Sequence, residues 1–277
     1  MSSVAARENA NLAGCSPGMR RAGRLAAIAA LRAGAGLCTL AADGEPGGTI
    51  DAPDSVMTRP LAAGGELAAV LAGKTAVVIG PGIGNTSASA ARVREVLASG
   101  IPAVLDADAL NGLAADPAAI AGAAGPVVIT PHPGEASRLL GITVANIEAD
   151  RLAAARALAT KTRAVVVLKG ARTIVCDGSS TGSSTGSSTG SGANLHCSIN
   201  PTGGPALATG GSGDVLAGTI GALLAQGLPA VDAARAGVYV HGAAGDDLAA
   251  RHGARGVLSS DLPEAIASAI RALSSQC

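Results

Sequence analysis

From Lys74 onward, short β-branched runs alternate with longer stretches rich in Ala and Leu. This alternation constrains the fold more than any other feature, because it calls for a mostly parallel sheet with helices covering both faces. Ala76–Ile79, Ala103–Leu105, Val127–Ile129 and Ala164–Leu168 are continuous apolar runs of strand length, as expected of strands buried on two sides. Ser87–Ala98 and Ile147–Ala159 are predicted as crossover helices, with further helices over Asp214–Ala225, Ala230–Arg251 and Leu262–Leu273. Thr173–Cys176 is predicted as a strand and Ala193–Ile199 as its hairpin partner.

A chain of 277 residues suits one large α/β domain, here expected to span residues 1–277. Residues 179–192 hold three copies of Ser-Ser-Thr-Gly, a solvated loop insertion that cannot bury enough apolar surface to order itself. With 20 basic and 20 acidic residues and a pI near 6.9, the chain lacks the basic footprint of a nucleic-acid or anionic-membrane binder. A small molecule is the expected partner. The apolar segment Ala22–Ala42 is interrupted by Arg24 and Arg32, so no membrane-spanning helix is expected. Five widely spaced cysteines with no C-x-x-C pair predict neither a disulfide framework nor a zinc site, in keeping with a reducing cytoplasm. There is no Phe or Trp and a single Tyr, Tyr239, so a bound base must lie against aliphatic or backbone surface.

Four of the predicted strands end in chemically equipped segments: Gly80-Pro81-Gly82-Ile83-Gly84, Asp106-Ala107-Asp108, Thr130-Pro131-His132-Pro133-Gly134-Glu135 and Lys169-Gly170. Ligands of open α/β sheets bind at this edge. Farther on, Thr209-Gly210-Gly211-Ser212-Gly213-Asp214 opens an apolar helix. Its glycines let backbone N–H groups converge on an anion at a helix N-terminus. A carboxylate there repels a resident phosphate but serves phosphoryl transfer to a hydroxyl, by accepting the hydroxyl proton. An Asp cap behind a glycine turn is the plainer reading, and the motif alone leaves both open. The same holds for Asp106 and Asp108, and for Asn111, which read equally as helix caps. His132 between two prolines is expected to contact ligand, whereas His241 and His252 receive no role and Asp246 and Asp247 read as a solvated helix face.

Taken in order, these segments together with Asn200-Pro201-Thr202-Gly203 resemble the ADP/ATP-dependent NAD(P)H-hydrate dehydratase family, from about Ser16 to the C-terminus. The resemblance implies a ribokinase-like three-layer α/β sandwich. It also implies an ADP-dependent hydro-lyase that restores hydrated NADH and NADPH. Asp214 would be the catalytic base, with Gly211, Ser212 and Gly213 as the anion hole. Lys169, Gly170, Ala171, Arg172, Thr173 and Gly213 would bind ADP or ATP as co-substrate. Ala35, Gly84, His132 and Asp214 would hold the hydrated dinucleotide, and Glu135 would organise Mg²⁺ through water. A homo-oligomer and a separate epimerase chain are implied as well.

The family's first strand ends in Gly-Gly, where this chain has Asn9-Ala10-Asn11-Leu12-Ala13-Gly14-Cys15, a stretch without strand character. The internal strand is therefore expected to be missing. Two other readings share the fold: an ATP-dependent kinase of a small alcohol or vitamin precursor, and a non-catalytic nucleotide-binding relative.

Overall fold

The computed structural model describes residues 9–13, 20–44, 49–61, 67–179 and 195–275. The N-terminal half runs β1 (Asn9–Ala13), α1 (Arg20–Arg32), β2 (Leu37–Asp43), β3 (Met57–Leu61), α2 (Leu67–Leu71), β4 (Ala76–Ile79), α3 (Ser87–Ala98), β5 (Ala103–Leu105), α4 (Asp108–Gly112), α5 (Ala118–Ala121) and β6 (Val127–Ile129). It continues through α6 (Pro133–Leu140), α7 (Val144–Ala149), α8 (Arg151–Thr162), β7 (Val165–Leu168), β8 (Ile174–Asp177), β9 (Cys197–Ile199), α9 (Ser212–Ala225), α10 (Ala230–His252) and α11 (Leu262–Ser274). The strands form one sheet in the order β3-β2-β1-β4-β5-β6-β7-β8-β9. Every pairing from β3 to β7 is parallel, and β8 and β9 close the edge antiparallel.

Side chains on a strand alternate between faces, and the two cores show it directly. On β7, Val165 and Val167 enter the core shared with α1, α9, α10 and α11, while Val166 and Leu168 enter the core beneath α2–α8. The three-layer α/β sandwich is thus the architecture observed.

Without aromatic rings, volume is filled by drawing elements together. α1 buries Ala26, Ala27, Ala29 and Ala30 against α9. There Gly218 faces the Ala26 carbonyl so closely that a methyl group would overlap it.

The expectation of a missing first strand is overturned. Asn9–Ala13 pairs in parallel with β2 on one side and β4 on the other, with Leu12 in register with Leu40 and Val78. Two flanking ladders supply the backbone partners that the residues' own strand propensity does not select. The run Ala22–Ala42 divides at Gly34 into a helix and a strand, and no helix among the described residues is long and apolar enough to cross a membrane. The single helix expected over Ile147–Ala159 is broken at Asp150, whose carboxylate caps α8 by accepting from the Ala153 N–H at 2.8 Å.

The cysteine expectation is also corrected. Antiparallel pairing of β8 with β9 sets Cys176 opposite Cys197, and the two form a disulfide. Linear spacing conceals this because the two lie 21 positions apart in the sequence. Most of the Ser/Thr/Gly insertion, and Ala193 and Asn194 of the expected hairpin partner, lie outside the described residues.

Candidate active site

The parallel strands deliver their carboxyl ends to one edge, and backbone hydrogen bonds extend the alignment beyond the strands. The Asp106 N–H donates to Ile79 O (3.1 Å), Thr130 N–H to Leu105 O (3.1 Å) and Lys169 N–H to Pro131 O (2.9 Å). Asp106, the His132–Glu135 turn and Lys169 therefore share a neighbourhood by construction of the sheet.

Helix α9 enters this neighbourhood through its N-terminus. Gly211 is the N-cap at φ 92°, a left-handed conformation that glycine adopts without strain, and Ser212, Gly213 and Asp214 form the first turn. A Cβ on Gly213 would stand 3.2 Å from Lys169 Nζ and 3.8 Å from Asp106 Oδ2. The glycine thus places helix backbone next to the ammonium. Lys169 is held by Asp106 Oδ1 at 2.6 Å and lies 3.9 Å from Glu135 Oε2. Burial lowers its proton affinity, but the Asp106 and Glu135 carboxylates override this and leave it raised.

Asp214 takes no hydrogen bond from any described residue. Burial, with the Asp106 carboxylate next in effect and Lys169 opposing, lifts its carboxyl to about 6. Asp108 and Glu135 push in the same direction. A carboxylate poised near neutrality, with no hydrogen-bond partner among the described residues, is suited to accept a proton.

Below Lys169 and Gly213 opens a cleft of about 580 Å³, the size of a small-ligand site. The whole stretch Lys169, Gly170, Ala171, Arg172 and Thr173 lines it, with Asn200, Thr202, Gly203 and Ser212. Its apolar wall comes from Leu207, Leu216 and Val238, the aliphatic surface that the composition requires of a base site.

Several residues have tasks the sequence did not disclose. His132 caps α6: its Nδ1 accepts from Gly134 N–H at 2.9 Å, and Glu135 Oε2 accepts from His132 N–H at 2.8 Å. Its ring is half exposed, and burial with the Lys169 charge lowers its pKa. Asp106 and Asp108 do not cap α4, whose N-cap makes no side-chain bond. Asp106 holds Lys169, and Asp108 Oδ2 accepts from Gly84 N–H at 2.9 Å. Asn111 accepts from Arg138 at 2.8 Å. Ala35 precedes β2, on the sheet edge opposite the strand ends that carry Asp106 and Lys169, and is not brought to the other site residues.

On α10, His241 is buried against the first turn of α9, its Nε2 3.2 Å from Ser212 Oγ and 3.0 Å from Ser212 O. Burial lowers its pKa to about 4 despite the Ser212 contact, so the ring is neutral. Asp246 is exposed, as expected of a solvated helix face, and it also accepts from Gly203 N–H at 2.8 Å. The spacing Val238, His241, Gly242, Gly245 marks one helical face and was the available signal.

Among the described residues, no group of three or more His, Cys, Asp or Glu side chains is arranged to hold a metal ion. Glu135 is engaged by the His132 backbone and faces a lysine. The described donors therefore do not make a metal cage by themselves.

Fold and site together define a ribokinase-like α/β protein with a small-molecule cleft and a carboxylate at a glycine-rich helix N-terminus. The sequence pattern of the NAD(P)H-hydrate dehydratase family matches residues 11–268, and the chain belongs to that family. It is 43% identical over 263 residues to the bifunctional NAD(P)H-hydrate repair enzyme Nnr of Moorella thermoacetica, covering 90% of this chain and 46% of that one. Over 193 residues it is 41% identical to the ADP-dependent (S)-NAD(P)H-hydrate dehydratase of Neisseria meningitidis, covering 68% and 60%. The ADP/ATP-dependent NAD(P)H-hydrate dehydratase of Bacillus subtilis, co-crystallised with ATP and Mg²⁺ and soaked with CoA, superposes with a TM-score of 0.77. Identity there is 27%, and the match covers 98% of this chain and 93% of that one. The chain spans about half the length of the bifunctional curated relatives it matches.

Proposed function

We propose that this chain is an ADP-dependent (S)-NAD(P)H-hydrate dehydratase, converting hydrated NADH or NADPH and ADP to NAD(P)H, AMP and phosphate. One observation carries this reading: Asp214, with no hydrogen-bond partner among the described residues, follows Gly213 where the helix N-terminus meets Lys169.

Hydroxide is a poor leaving group, so the ring hydroxyl must be activated. Asp214 takes its proton as the oxygen attacks the β-phosphorus of ADP and the bond to AMP breaks. The α9 N-terminal N–H groups and Lys169 stabilise the transferring group. The ring nitrogen's electron pair then expels phosphate, and loss of the neighbouring C–H proton restores the ring double bond. Gly170–Thr173 would hold the nucleotide, and Gly84 and His132 would face the dinucleotide. Mg²⁺ would arrive on the nucleotide phosphates, with Glu135 reaching it through water; the metal supplies charge neutralisation of the phosphates. By the same resemblance we assign a homo-oligomer in the cytoplasm, served by a separate NAD(P)H-hydrate epimerase.

The test is to mix the protein with Mg²⁺, hydrated NADPH and ADP or ATP, and to follow reduced-nicotinamide absorbance. Recovery with ADP is expected, and no recovery with either nucleotide sinks the reading. Because the base must be ionised, kcat should fall as pH drops through about 6, following Asp214. A kcat flat from pH 7.5 to about 5 would remove Asp214 as that base.

A further inference from the structure

The proposed reaction assigns no step to Asp106, although its carboxylate is the acid that holds Lys169. Its backbone is fixed by the bond to Ile79 O, and its side chain is 2% exposed. Its Oδ1 lies 2.6 Å from Lys169 Nζ, whereas Glu135 Oε2 is 3.9 Å away and already accepts from His132 N–H. Asp106 is therefore the one described carboxylate within hydrogen-bond distance of this ammonium.

Lysine is a compact charge on a flexible stem, and holding it in place costs side-chain freedom at the moment a ligand binds. We propose that Asp106 is a positioning residue, which holds Lys169 against Gly213 so that its remaining N–H groups meet the phosphates of a nucleoside diphosphate in the cleft. It touches neither substrate directly. The proposal rests on the nucleotide reading of the preceding section and deepens it.

The ion pair also shapes the charge around Asp214. Asp214 faces Asp106 at the end of β5, Asp108 on α4, Glu135 on α6 and Lys169 at the end of β7. Removing the Asp106 charge takes away a carboxylate that raises Asp214 and leaves Lys169 less neutralised. Both changes lower the pH at which Asp214 ionises.

The experiment is a double-variant cycle read by calorimetry with ADP and Mg²⁺. Asp106→Asn should bind ADP about tenfold more weakly. Lys169→Met should also weaken it, and the double variant should bind no worse than Lys169→Met alone. The acid limb of the kcat profile in Asp106→Asn should move to lower pH, a change that loss of packing would not cause. Asp106→Glu keeps the charge, so it should retain the limb while the longer carboxylate displaces Lys169 and weakens ADP. This variant carries the test should Asp106→Asn fail to fold. Unchanged ADP affinity in the folded variants, or a full second loss on top of Lys169→Met, overturns the proposal. Wild-type protein that binds ADP without restoring hydrated NADPH sinks the dehydratase reading and leaves the Asp106 cycle readable; wild-type protein that does not bind ADP sinks both.

Discussion

Asp214→Asn is expected to lower kcat by roughly a thousandfold, within the range that general-base catalysis supplies, while ADP remains bound. The amide matches the carboxylate in size but cannot accept the hydroxyl proton. The same substitution should stabilise the fold. In the folded chain the Asp214 carboxyl lies at about 6 because of burial and the Asp106, Asp108 and Glu135 charges. An unfolded Asp titrates near about 3.9. Between those values the folded chain binds a proton that the unfolded chain does not, so stability falls as pH rises through the window. The whole cost is present above pH 6 and absent below about 4. The variant's melting temperature should therefore exceed the wild type's by a few degrees at pH 7.5, and the gap should close toward pH 4. Wild-type turnover would show that another group is the base. A lower melting temperature at pH 7.5 would show that the buried carboxylate carries no such cost.

That trade of stability for reactivity explains why the site was only partly legible in the sequence. The strands from Ala76 to Leu168 were legible because burial on both faces leaves a continuous apolar signature, and Val165–Leu168 supplies alternating residues to two cores. The first strand was not, because Asn9–Ala13 is held by ladders on both sides and needs little propensity of its own. The disulfide was hidden for a similar reason, since Cys176 and Cys197 meet only through strand pairing. Asp214 and Lys169 stood out by motif. The partners that set their chemistry did not: Asp106 resembles a helix cap in sequence, and His241 resembles any core histidine. What separates them from those roles is the company supplied by β7 and α9, which are remote in the chain.

Gly80→Ala is the substitution expected to damage fold and site together. Gly80 follows β4 directly at φ 127°, a conformation closed to alanine without strain. A methyl group there would also fall far inside contact distance of the Asp106 carbonyl, and 3.0 Å from Ala109 Cβ. Neither neighbour can yield cheaply. The Asp106 carbonyl accepts from the Ala109 N–H, and its N–H is spent on Ile79 O. Gly100 separates the two costs, because it sits at φ 77° with nothing within 4 Å of an added Cβ. Gly100→Ala should lose about 1 kcal/mol, the conformational part alone. Gly80→Ala should lose about 4 kcal/mol, and its melting temperature should drop by about 10 °C. Because the displaced residue is Asp106, ADP affinity should fall in Gly80→Ala and remain unchanged in Gly100→Ala. Equal melting temperatures in the two variants would mean that the chain relaxes around the methyl group, and that the close approach of β4 to Asp106 is not what fixes Lys169.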